Sequence, residues 1–141
     1  MVFAGSAAKG GDGGAVAVEA SGNLETRGTM SDAIFAQSDG SATVSVTSIG
    51  DLYAGTNGDG IYAFSATGIV TVNSTGDISA DSDGIFARST GNSTVSVTSL
   101  GDISTDDGYG IYGYSATGVV TIMSTGTIWS GDHGIYALNL G

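Results

Sequence analysis

Eight of the fourteen acidic residues in this chain fall in one recurring polar turn: Glu25, Asp32, Asp59, Asp81, Asp83, Asp106, Asp107 and Asp132. A second set, Asp51, Asp77 and Asp102, stands each time between a glycine and an aliphatic residue. Two chemistries suit such carboxylates. Asp favours turns because its side chain caps nearby backbone amides. Carboxylates stacked at strand spacing also repel, and a hard cation such as Ca²⁺ would relieve them; Asp81, Asp83, Asp106 and Asp107 are the candidates. The turn does not match the glycine-rich nonapeptide of calcium-binding β-rolls, and Gly10-Gly11-Asp12-Gly13-Gly14 is a lone fragment of that style. Turn capping is therefore the expectation, with no metal and no cofactor assigned.

The aromatic residues are as regular. Phe35, Tyr62, Phe86, Tyr112 and Tyr136 each follow an isoleucine, and Phe64 and Tyr114 lie two residues beyond Tyr62 and Tyr112. Two positions apart on a strand is one face, so these seven of eleven aromatics form one outward stripe. Its second column, Gln37, Phe64, Arg88, Tyr114 and Leu138, is varied, as a surface column is. Such a stripe can be a stacking ladder that stabilises the chain. It can also be an apolar patch that meets a partner, either a protein or the rings of a glycan.

Catalysis finds little support. His133 is the only histidine and sits in a polar turn beside Asp132, and no nucleophile motif marks any serine. A groove that degrades acidic polysaccharides needs clustered cations, and Lys9, Arg27 and Arg88 are scattered. A hydrolase using two carboxylates of the Asp columns is the enzymatic alternative. The outward threonines of the valine runs suggest an ice-binding array, but Ile69, Asn73, Val119 and Met123 interrupt it.

The elements that must position these side chains repeat five times. A Val-x-Val or Val-x-Ile run opens at Val16, Val44, Val70, Val95 and Val120, with spacings of 28, 26, 25 and 25 residues. A second run centres on Leu24, Leu52, Ile78, Ile103 and Ile128, each two residues after a glycine, and a third on Ile34, Ile61, Ile85, Ile111 and Ile135. Apolar residues alternate with Ser and Thr at period two, the signature of strands, and β-branched residues dominate. From first run to second the step is always six residues, and from second to third it varies from 7 to 10. A fixed step implies a corner locked by stacking, whereas a variable one implies a loop free to bulge. The glycine before each second run implies a positive φ. There is also a double period: Phe64-Ser65-Ala66-Thr67-Gly68 returns as Tyr114-Ser115-Ala116-Thr117-Gly118, 50 residues later.

Three short strands in about 25 residues describe one rung of a right-handed parallel β-helix, with Ile, Val and Leu columns inside and Ser and Thr on the surface. Residues 15–141 are expected to form about five rungs, a fragment of a longer solenoid, and residues 1–14 a flexible or partial N-terminal cap. The chain has no Cys and no Pro, so packing and backbone pairing must hold it. A net charge of −11 argues against nucleic acid and anionic membranes as partners. No apolar stretch is long enough to span a bilayer as a helix, and the N-terminus lacks the basic and apolar regions of a signal peptide.

The phrase Gly76-Asp77-Ile78…Asp83-Gly84-Ile85-Phe86-Ala87-Arg88-Ser89 resembles the repeats of bacterial autotransporter passenger domains, across residues 10 to 141. The resemblance implies a secreted or surface-exposed β-helix of a Gram-negative bacterium, normally followed by an outer-membrane barrel. It implies no catalytic residue. The expected function is an adhesin-type scaffold, with the aromatic stripe binding a host or neighbouring-cell protein or glycan. A polysaccharide-degrading β-helix is the alternative from a different class, and homotypic self-association is a third possibility.

Overall fold

The alternation of aliphatic and hydroxylated residues makes strands too short to bury their inner face alone, so each must be covered by the next copy of itself. The computed structural model describes residues 2–6 and 14–141, and among these there is no helix. β1 (Val2–Ser6) comes first. The first turn then holds β2 (Val16–Ser21), β3 (Leu24–Glu25) and β4 (Ile34–Ser38), and the second β5 (Val44–Ile49), β6 (Leu52–Tyr53) and β7 (Ile61–Ser65). The third holds β8 (Val70–Thr75), β9 (Ile78–Ala80) and β10 (Ile85–Ser89), and the fourth β11 (Val95–Leu100), β12 (Ile103–Thr105) and β13 (Ile111–Ser115). The fifth is β14 (Val120–Thr125), β15 (Ile128–Trp129) and β16 (Ile135–Asn139).

Equivalent strands pair in parallel, giving three sheets: β2-β5-β8-β11-β14 (the valine sheet), β3-β6-β9-β12-β15 (the narrow sheet) and β1-β4-β7-β10-β13-β16 (the aromatic sheet). The chain is a parallel β-solenoid of about five turns with three strands per rung, as the repeat requires. Register follows the columns read from sequence. Val44 faces Val70, Leu52 faces Ile78, and Ile61 faces Ile34 and Ile85. β1 adds to the aromatic sheet with Val2 opposite Ile34 and Ser6 opposite Ser38. Most of the segment expected to form a cap, residues 7–13, lies outside the described residues.

The inner columns are a continuous core. Ile34, Ile61, Ile85 and Ile111 are fully buried, as are Val44, Val70, Val95, Leu52 and Ile103. A fully buried aliphatic of this size contributes about 1.5–3 kcal/mol, which explains how a chain without disulfides holds together. The fifth turn has a neighbour on one side only, so Val120, Ile122 and Ile128 are partly buried there and Ile135 is 47% exposed.

The fixed six-residue step is a glycine corner. Gly22, Gly50, Gly76, Gly101 and Gly126 all have positive φ, between 91° and 135°. At Gly76 a Cβ would also sit 2.6 Å from both the carbonyl carbon and oxygen of Gly50 in the rung before. Both the dihedral and the close approach require glycine here.

One expectation needs correction. Ser and Thr do not all lie outside: Ser38, Ser65, Ser89 and Ser115 in the aromatic sheet and Ser48, Ser74 and Ser99 in the valine sheet are buried. In the aromatic sheet the serines make the corner. Ser65 Oγ donates to the Ala42 carbonyl at 2.8 Å and accepts from Gly68 N–H at 2.9 Å. Ser115 repeats this with Ser93 and Gly118 at 2.7 and 2.8 Å. Ser38 and Ser89 instead accept from the glycine two residues on, Gly40 and Gly91, each at 3.4 Å. Two corner types alternate along the solenoid, which is the physical content of the 50-residue double period.

Candidate functional site

The outward side chains of the aromatic sheet are placed by strict parity. In Ile-aromatic-Ala/Gly-x-Ser, residues one, three and five are buried in β4, β7, β10 and β13, and residues two and four are half-buried on the outer face. The parallel pairing then sets Phe35, Tyr62, Phe86, Tyr112 and Tyr136 directly above one another. Their ring centroids are 4.8, 4.9, 4.9 and 5.6 Å apart, with interplanar angles of 8° or less. The spacing is close to the inter-strand repeat of about 4.8 Å, so the backbone, rather than ring attraction, fixes the stack. Each such pair adds about 0.5–1.5 kcal/mol beyond burial.

The second column runs beside it as Gln37, Phe64, Arg88, Tyr114 and Leu138. The Arg88 guanidinium carbon lies 5.1 Å from the Tyr114 ring centroid, a cation–π contact. Arg88 Nε is buried and makes no hydrogen bond. Burial holds the phenols of Tyr62 and Tyr112 above their ordinary pKa, and the charge of Arg88 draws both the other way. All seven residues expected in the stripe, Phe35, Tyr62, Phe64, Phe86, Tyr112, Tyr114 and Tyr136, are thus on one face.

Tyr109 was not anticipated there. It lies in the loop before β13, yet its ring is 5.5 Å from Tyr112, 5.2 Å from Tyr136 and 5.7 Å from His133. Burial and the Asp132 carboxylate raise its pKa. The signal in the sequence is its register with Asp83, both lying two residues before a third-run isoleucine, and the change from carboxylate to aromatic hides it. His133 Nδ1 and Asp132 Oδ1 are 2.6 Å apart on the exposed side of this cluster.

The acidic columns are ladders of a particular kind. Asp32 Oδ1 accepts from Asp59 N–H at 2.8 Å, Asp59 Oδ1 from Asp83 N–H at 2.9 Å, and Asp83 Oδ1 from Tyr109 N–H at 2.8 Å. A second ladder passes from Asn23 to Asp51, Asp77, Asp102 and Thr127 in the same way, at 2.7–3.0 Å. The carboxylates cap amides, as turn chemistry predicts, but the amides belong to the next rung, 24–28 residues away. In the first ladder burial raises the pKa of Asp32, Asp59 and Asp83, with Asp59 reaching about 6. Of the calcium candidates, Asp81 Oδ2 accepts from Asn57 N–H at 2.6 Å and Asp83 is engaged as above, while Asp106 and Asp107 are exposed. Among the described residues no three acidic or histidine side chains converge as a metal site.

No protein-family model, curated protein or solved structure matches the chain. The parallel β-solenoid is consistent with the β-helix repeat that the sequence resembles.

Proposed function

We propose that this chain is a binding scaffold of autotransporter-passenger type, displayed on or released from the surface of a Gram-negative bacterium, and that its outer aromatic sheet face engages a host or neighbouring-cell protein or glycan without turning it over. The observation that carries this reading is the doubled column. Five stacked rings lie beside Phe64, Arg88 and Tyr114, a contiguous face that is aromatic, half-buried and bears a single cation. Interface cores are enriched in just these residue types, with Tyr, Phe and Arg in front and Lys and Glu depleted. The stripe is also pre-organised by the backbone, so little side-chain entropy is lost on binding.

The test separates binding from folding. Phe64→Ser with Tyr114→Ser removes the two rings of the second column and leaves the five-ring stack. Labelled protein is applied to cultured epithelial cells and to intact bacteria, with far-ultraviolet circular dichroism as the fold control. Binding lost with the spectrum unchanged supports the reading, and binding retained at full strength overturns it.

A second reading, self-association, is favoured by the valine sheet. Ile49 and Leu100 project outward from the second and fourth turns at 57% and 46% exposure, and Ile69 and Val119 stand exposed just before the valine strands of the third and fifth. Rods packed side by side on this face would cover them. Ile49→Ser with Leu100→Ser would then abolish concentration-dependent sedimentation, and a wild-type chain that stays monomeric at high concentration would remove the reading.

A further inference from the structure

The narrow sheet carries a feature that neither the aromatic stripe nor the acidic turn accounts for. Its outward column, fixed by parallel register, reads Glu25, Tyr53, Ser79, Ser104, Trp129. Large rings stand at positions two and five and the smallest hydroxyl side chains lie between them. The result is a groove of about 260 Å³ with Tyr53 at one end, Trp129 at the other, Ser79 and Ser104 as its floor, and Asp77 and Asp102 along one side. Tyr53 is 46% and Trp129 71% exposed, so both rings present surface to solvent. They are three rungs apart, roughly 14 Å at the inter-strand spacing.

We infer that this groove is a binding site for a short neutral oligosaccharide lying along the solenoid axis. Three properties of the groove select that ligand. Two aromatic platforms suit the apolar C–H faces of sugar rings, which pack on such surfaces while their hydroxyls remain free to bond. Ser79 and Ser104 supply hydroxyls that both donate and accept, as a polyol requires. Asp77 and Asp102 each use Oδ1 to accept an amide of the next rung, at 2.9 and 2.7 Å, and Oδ2 makes no hydrogen bond among the described residues. Two free carboxylate oxygens at rung spacing accept from sugar hydroxyls and make charge-assisted bonds. The same charges, on a chain of net −11, repel uronates, sulfated sugars and sialic acids. An apolar peptide would leave the floor hydroxyls and both carboxylates unpaired and is disfavoured on that account.

The site is separate from the aromatic face, and its ligand can be tested independently of the proposed adhesin role. Trp129 is the only tryptophan of the chain, so its fluorescence reports on this groove alone. Chitin, cellulose and xylan oligomers of six sugars are titrated, with hexagalacturonate as the acidic control. Binding of at least one neutral oligomer should shift Trp129 emission, saturate, and remain in the Phe64→Ser, Tyr114→Ser protein. Tyr53→Ala should weaken it by about tenfold or more, the loss expected for an anchoring ring, and Ser104→Leu, which fills the floor, should abolish it. Calorimetry on the same samples guards against a silent tryptophan. No heat and no spectral change with any neutral oligomer, equal affinity of the Tyr53→Ala protein, or preference for hexagalacturonate would each overturn the assignment.

Discussion

Asp59 is where the solenoid holds a charge at the greatest disadvantage, and Asp59→Asn measures it. The carboxyl is partly buried between Asp32 and Asp83, accepts the Asp83 amide at 2.9 Å, and has its pKa raised from 3.8 to about 6, chiefly by burial. Because the folded value is the higher one, the folded chain binds the proton more tightly than the unfolded chain. The stability this group contributes is complete below about pH 3.8 and is lost as the pH rises through about 6. At about 1.4 kcal/mol per pH unit the interval is worth at most about 3 kcal/mol, and about 1–2 kcal/mol after screening by the solvent at this open edge. Asparagine keeps an acceptor for the Asp83 amide and never ionises. The variant should therefore match wild type near pH 4 and exceed it by about 1–2 kcal/mol at pH 7.

The assay is urea unfolding followed by circular dichroism at intervals between pH 4 and 8, at constant ionic strength. Wild type also loses stability with rising pH through its overall charge of −11, so the difference between the two proteins is the quantity to read. Asp59→Ala is the control. It removes the charge and the acceptor together, so it should gain less at pH 7 and lose stability at pH 4, where the amide of Asp83 is left without its partner. A variant-minus-wild-type difference that is flat between pH 4 and 7 would refute the account, because it would mean that the folded chain does not raise this pKa.

Three further substitutions turn on the buried serines and the glycine corner. Ser74→Ala should be neutral or stabilise by up to about 1 kcal/mol, because Ser74 Oγ is buried without a hydrogen bond. Ser65→Ala should instead destabilise by about 1–3 kcal/mol, because it orphans the Gly68 amide and the Ala42 carbonyl; equal effects in denaturant midpoints would contradict the division into two serine columns. Gly76→Ala should destabilise by more than about 2 kcal/mol or prevent folding, since φ is +115° and the added Cβ would meet the Gly50 backbone; a thermal midpoint within a few degrees of wild type would show that the corner can open.

The columns were readable because a solenoid converts sequence period directly into spatial neighbourhood. Val16, Val44, Val70, Val95 and Val120 share a column because they share a phase, and the aromatic after each third-run isoleucine is outward because its neighbour is inward. What phase does not encode is the identity of a polar partner. Asp83 looks like a turn residue for its own loop, and only stacking reveals that it serves Tyr109 on the next rung. Alternation with hydrophobics made every serine look solvated, yet Ser65 and Ser74 share the inward parity of the valines and isoleucines. Serine is small enough to sit in the core, and its hydroxyl is satisfied in one sheet and not in the other. The period does not mark Val2–Ser6 as a strand, because the other two runs do not accompany it, although Phe3 and Ser6 pair with Phe35 and Ser38. The period does not single out Tyr53 and Trp129, because no one residue type runs through their column of Glu25, Tyr53, Ser79, Ser104 and Trp129.

Repetition multiplies whatever a rung offers, and the ladders show that not everything multiplied is favourable. Stacked rings gain with each added copy, since each new ring meets a face already fixed at about 4.8 Å. Stacked carboxylates lose with each copy, since every addition places like charge at the same spacing. The chain tolerates the second because each carboxylate also satisfies an amide that the turn would otherwise leave unpaired, so the repulsion is bound to a hydrogen bond in every rung. The first acidic ladder gives way where the repulsion would be compounded, with Tyr109 taking the position after Asp83. The second begins with Asn23 and ends at Thr127. Uncharged residues at those places bound the second run at three consecutive aspartates and stop the first after Asp83. On the narrow sheet the outward column breaks its pattern altogether, and a break that leaves two rings around two serines creates concavity on a surface that repetition alone would keep flat. Departures from the repeat are therefore where a concave site can arise on this solenoid, whereas the repeated aromatic face offers a partner a flat one.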